Sequence, residues 1–136
     1  MKLGRMGIVT GFVLAVTLGL FVYPSPTLAF DIEIDVAPNV LNIESESLVV
    51  TVHTDIAYSA VAGSSLFLNG VAINYWKSDA RGNFVAKFLS DQIKKLDRLI
   101  IGDYNSLVLT GYDTEKEAFI GTQEIMVIEV IPQGNN

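Results

Sequence analysis

The chain has one histidine, His53, two positions before Asp55, with serines at 59, 64 and 65. Histidine, aspartate and serine are the parts of a nucleophilic triad, in which the base takes the serine proton and the carboxylate orients the base. The spacing argues against a triad. On a strand, residues 53 and 55 share one face about 6.5–7 Å apart, and no Gly-x-Ser-x-Gly elbow surrounds the serines. His53 is therefore expected to be a solvated strand residue. Glycoside cleavage needs two carboxyls about 5–10 Å apart in a cleft, and the 15 acidic residues are spread along the chain without nominating a pair. With no cysteine, thiol catalysis, thiolate zinc sites and iron–sulfur clusters are excluded. The expectation is a protein that is not an enzyme and carries no cofactor.

Contact chemistry is better represented. Tyr58, Tyr75 and Trp76 are candidate binding residues, because aromatic rings beside a hairpin can hold a sugar or a protein partner. The competing expectation for Trp76, the single tryptophan, is a place in the core.

The elements that must position these side chains are strands. Residues 31–36 alternate acidic and apolar, the period of a strand with one buried face. Pro38 interrupts it, which suits an edge, and residues 40–43 resume it. Residues 47–54 form a second strand, with Leu48, Val50 and Val52 on one face. Asn69-Gly70 between two apolar runs, 65–68 and 71–76, predicts a two-residue hairpin, since both turn positions tolerate positive φ. Residues 84–88 put Phe84, Ala86 and Phe88 on one side. Ser90 is placed to cap a short helix through Leu96, with Ile93 and Leu96 inward. A short extended piece at 99–101, a turn at 103–105, a strand at 106–112, a charged turn at 113–117 and strands at 118–122 and 124–131 follow. Seven to nine short strands with one short helix predict an all-β sandwich or barrel.

The first residues differ from the rest. Lys2 and Arg5 precede an uncharged run over 6–23, prolines stand at 24 and 26, and Thr27-Leu28-Ala29 supplies small residues at 27 and 29. That order is a secretory signal, cut after Ala29. The alternative is an uncleaved membrane anchor, since a run of about 18 residues reaches the lower limit for a bilayer core of ~30 Å. The domain then covers 30–131, and 132–136 form a mobile tail. Removing residues 1–29 takes two basic groups and lowers the net charge from −6 to about −8. That charge disfavours nucleic acid and anionic membrane surfaces as partners, and the expectation is no nucleic-acid partner and contact with a membrane only through an uncleaved signal.

Several stretches together carry a resemblance: 31–42 (DIEIDVAPNVLN), 66–70 (LFLNG), 78–88 (SDARGNFVAKF), 107–111 (LVLTG) and 119–127 (FIGTQEIMV). Their order resembles immunoglobulin-like modules of exported bacterial and archaeal proteins, and covers nearly all of residues 31–130. The resemblance implies an immunoglobulin-like β-sandwich with an accessory or adhesion role. Relatives with a calcium loop surround a glycine with several oxygen ligands. Here Asp79 and Asn83 are kept around Gly82, but Arg81 occupies a ligand position. Calcium takes six to eight oxygens, so the stronger expectation is a turn in which Gly82 adopts positive φ and Asp79 and Asn83 bond the backbone.

The functional expectation is a secreted, periplasmic or cell-surface module that contacts protein or carbohydrate. The alternative is self-assembly as a surface-fibre subunit, with residues 30–43 added to a neighbour's sheet. A secreted hydrolase ranks third.

Overall fold

A computed structural model describes residues 28–133. These residues form ten strands in two sheets, one short α-helix and two 3-10 turns, Tyr58–Ala60 and Gly63–Ser65. The strands are β1 (Phe30–Asp31), β2 (Ile34–Ala37), β3 (Val40–Asn42), β4 (Val49–Ala57), β5 (Phe67–Leu68), β6 (Val71–Ala72), β7 (Tyr75–Ser78), β8 (Asn83–Leu89), β9 (Asp103–Tyr112) and β10 (Ala118–Ile128); α1 (Ser90–Lys94) follows β8. The front sheet runs β1-β10-β9-β5-β6, with β3 also on β10; the back sheet runs β2-β4-β8-β7. β1 and β3 lie parallel to β10, and every other pairing is antiparallel. The signal-sequence expectation falls almost wholly on residues outside those described. Among the described residues no helix is long and apolar enough to cross a membrane.

The core lies between the sheets. Val50, Val52, Phe84, Ala86 and Phe88 face it from the back; Leu68, Leu107, Leu109, Phe119, Ile125 and Val127 face it from the front. Alternation along each strand puts these residues on one side, and each large side chain so buried contributes about 1.5–3 kcal/mol. In the absence of disulfides, this packing is what holds the sheets together.

Two segments that alternate like single strands each cross from one sheet to the other. At the first, Ile32 N–H donates to Ile120 O of the front sheet (2.9 Å). The next residue, Glu33, donates its N–H to Asp55 Oδ1 of the back sheet (3.0 Å). At the second, Ile73 N–H donates to Leu66 O (3.1 Å) and Asn74 N–H to Lys87 O (2.9 Å). The apolar side chains of Ile32, Ile34 and Val36 all stay against the core through the first crossing. The two-residue period therefore survives a change of sheet, and the strand count is ten where seven to nine were expected.

Other expectations need correction. Leu48 is 80% exposed: β4 begins at Val49, and Leu48 is held by its carbonyl, which accepts the Ser90 N–H (3.0 Å). Ser90 does not cap α1. Leu89 holds that position without a side-chain bond, and the buried Ser90 hydroxyl lies 3.3 Å from Ser47 Oγ. Residues 103–105 are the start of β9, not a turn. The buried Asn105 side chain closes the preceding loop instead, accepting from Ile100 N–H (2.7 Å) and donating to Ile100 O and Asp103 O (3.0 Å each). Residues 99–101 form no strand, and 118–128 form one strand rather than two pieces. The hairpin at Asn69-Gly70 is as expected, with φ of 47° and 84° at the two turn positions.

Candidate functional surfaces

The polar residues of the back sheet gather at one end. β2 pairs with β4 so that Asp35 lies opposite His53, and β4 pairs with β8 so that His53 lies opposite Val85. His53, Asp55, Glu33, Asp35, Asp79 and Arg81 line a shallow hollow of about 440 Å³. Topology thus brings His53 and Asp55 beside the Asp79–Asn83 loop, a neighbourhood that sequence distance hides. Asp55 is occupied by the Glu33 amide. Ser65 belongs to the front sheet's margin: its hydroxyl donates to Ala62 O (2.6 Å) and accepts from Tyr112 N–H (2.8 Å).

The loop between β7 and β8 is a closed turn built on Asp79. Its Oδ1 accepts the backbone N–H groups of Arg81 (2.8 Å) and Asn83 (2.9 Å). Its own backbone pairs with Asn83 and Gly82 (2.9 and 3.0 Å), and Gly82 adopts φ 83°. The Asn83 amide holds the Asp79 carboxyl below the usual carboxylate range; desolvation opposes this, and the Arg81 amide, the Arg81 charge and His53 add to it. Asn83 contributes through its main chain. One carboxylate oxygen is therefore spent on the turn.

The three candidate aromatics divide between two places. Tyr58 and Trp76 both stack on the buried Phe84, at centroid distances of 5.9 and 6.3 Å and interplanar angles of 25° and 23°. Trp76 faces inward from β7 against Gly63, with 38% of its surface exposed. Tyr75, its neighbour on β7, points to the outer face beside Lys87. Lys87 donates to Thr51 Oγ1 (2.8 Å); burial, then the Lys77 charge, lowers its pKa.

The outer face of the front sheet was not singled out from sequence. β9 and β10 pair over ten residues, from Ala118 opposite Tyr112 to Val127 opposite Asp103. Tyr104, Ser106, Val108, Thr110 and Tyr112 project outward from β9; Ala118, Ile120, Thr122, Glu124, Met126 and Ile128 project from β10. Glu124 is the one charged group among them. Phe67 extends the face beside Thr110, and Phe67, Thr110, Tyr112, Ala118 and Ile120 surround a hollow of about 420 Å³ next to Ala29. Tyr104, Tyr112 and Phe67 are 59, 52 and 43% exposed. The signal was present in the strand alternation: the outward positions of 104–112 and 118–128 carry one charge among eleven residues.

At the hairpin joining β9 to β10, Asp113, Glu115 and Glu117 bring carboxylate oxygens within 4.8 Å of one another. Asp113 Oδ1 accepts the Glu115 and Glu117 amides (2.9 and 2.8 Å), so it serves this turn as Asp79 serves the other.

Searches of family models, of curated proteins and of solved structures found no match to this chain.

Proposed function

We propose that this chain is an exported, non-catalytic immunoglobulin-like module that contacts a protein or carbohydrate through the outer face of its front sheet. The observation that carries the proposal is that face: ten paired residues long on β9 and β10, bearing exposed aromatics and only two carboxylates, Glu124 and, beside Ile120, Asp31, on a chain of net charge −6. Contiguous exposed apolar surface of this kind marks interaction sites. The immunoglobulin-like assignment is supported by strand order. Counting β2, β4, β5, β7, β8, β9 and β10 as A to G, the sheets read A-B-E-D and G-F-C, with β6 as an added C′ strand. The module departs from antibody domains in having no cysteine to bridge B and F, and in carrying its tryptophan on D.

Export rests on the order of charged, apolar and small residues over 1–29. No cofactor is assigned, because the Asp79 carboxylate already serves its own turn. Catalysis is disfavoured by the separation of Ser65, at the front sheet's margin, from His53 on the back sheet. The fibre alternative asks more of the arm: β1, β2 and β3 would have to leave β10 and β4, with which they pair in the same chain.

The test is a photo-reactive amino acid placed at Thr110 on the front face, or at His53 on the back, in the protein exported by its own host. Adducts from position 110 and none from 53 are expected. Adducts from 53 alone would overturn the assignment of the face.

A further inference from the structure

We infer that Asn69 is a modification site: a slow, one-way switch in the front sheet, where the side-chain amide is lost as ammonia only when the β5–β6 hairpin leaves β9. The chemistry stands apart from the proposed contact surface. Its consequence for binding rests on that proposal, because Phe67 of β5 belongs to the face.

Asn69 does more than turn the chain. β5 ends at Leu68, opposite Leu109 of β9. The next residue continues the ladder with its backbone and its side chain together. Asn69 N–H donates to Val108 O (3.0 Å). Its Oδ1 accepts the Val108 N–H (2.6 Å), and its Nδ2 donates to Ser106 O (3.0 Å). The residue is exposed to water, yet its amide is held at both ends.

An asparagine followed by glycine carries its own reaction, and asparagine counts among the thermolabile residues. The Gly70 backbone nitrogen, with no Cβ beside it to obstruct approach, attacks Asn69 Cγ. A C–N bond forms, the Cγ–Nδ2 bond breaks, and Nδ2 departs as ammonia with the proton of the Gly70 amide. Water then opens the five-membered imide at one of its two carbonyls. One opening leaves aspartate. The other leaves isoaspartate, whose main chain runs through the former side chain.

The docked hairpin prevents the first step. φ of 47° and 84° at Asn69 and Gly70 are those of a type I′ turn. The first turn residue then has ψ of about 30°, which sets Cβ and the Gly70 nitrogen on opposite sides of the Cα–C bond. Ring closure needs them on the same side. The turn must open, and the side chain must leave Val108 and Ser106, before Cγ comes within reach.

Neither product docks as the parent does. Aspartate is acceptor-only. One oxygen keeps the Val108 N–H, and the other meets Ser106 O where Nδ2 had donated. Isoaspartate lengthens the turn by one backbone atom, and hairpin register is set by turn type and loop length. Each loosens β5 and with it Phe67, which lies opposite Thr110. Release of ammonia makes the change one-way.

The test incubates the exported protein at neutral pH, folded or unfolded in urea, and follows ammonia loss at position 69 by peptide mass mapping. Loss at least tenfold slower in the folded protein is expected. Asn69→Asp, which carries one product, should melt below the parent and give fewer adducts from a photo-reactive group at position 110. Equal rates in the two states, or an Asn69→Asp variant as stable as the parent, overturns the inference. Slower loss and a lower melt with undiminished adducts would uphold the switch and refute its control of the contact surface.

Discussion

Gly121 on β10 lies directly under the side chain of Ile34. A Cβ at position 121 would stand 2.6 Å from Ile34 Cγ2 and 3.1 Å from Ile32 Cγ1. The missing side chain is what lets the N-terminal arm pass from front to back without lifting off the core. Gly121→Ala is expected to cost about 1–3 kcal/mol, the range for overpacking a filled interior. Thermal unfolding of the variant checks this; an unchanged midpoint would show that the crossing has slack.

Where the arm reaches the back sheet, the amide of Val36 points back to the front sheet and donates to Gln123 Oε1 (2.8 Å). Val36 is almost fully buried, so the amide depends on that one side chain. Gln123→Ala should lower stability by about 1–3 kcal/mol, the penalty for an unsatisfied buried donor. Gln123→Glu keeps an acceptor and should lose less at neutral pH. Equal losses in the two variants, measured by denaturant unfolding, would sink the account.

Trp76 is the sole tryptophan, so its fluorescence reports one site. A methyl at Gly63 would fall within 2.7 Å of the indole Nε1 and Cζ2, besides its contact with Cε2. Gly63→Ala is expected to displace the ring from its stack on Phe84, shifting emission to the red and raising quenching by iodide. Emission identical to the parent protein would mean that the ring is not held there.

Asp79 predicts a pH dependence. Its folded-state carboxyl titrates below the ordinary value of 3.8, chiefly because the Asn83 amide bonds the charged form. The stabilisation is therefore complete above the ordinary value and is lost as pH falls through the lower, folded value. The stability difference between the parent and Asp79→Asn should be constant from about pH 5 to 7 and shrink below about pH 4, given the usual carboxylate range. A difference that grows on acidification contradicts this. Calcium or a chelator should leave the melting transition of the parent unchanged.

Strand periodicity made the core legible: Val50, Val52, Phe84, Ala86 and Phe88 face inward as their alternation requires. The Asn-Gly hairpin and the Asp79 turn were legible because positive φ and side-chain capping are local events. The sheet crossings were not, since the period is the same on both sides of Ile32–Glu33 and of Ile73–Asn74 and only partners distant in sequence distinguish them. Asn105 and Gln123 were missed for a related reason. Each is a polar residue at an inward position of a strand, with a purpose visible only once its partners at Ile100 and Val36 are in place. The front face was not legible because its outward residues belong to two strands, and only their pairing joins them into one surface.

The arm has a consequence for how the polypeptide matures. β1 and β3 are completed only by β10, and Asn42 grips the main chain of Val130, 88 positions later, through both ends of its side-chain amide. The back sheet has all of its strands by Leu89, whereas β1 and β3 wait for β10, so closure of the sandwich comes late and is governed by contacts of long sequence separation.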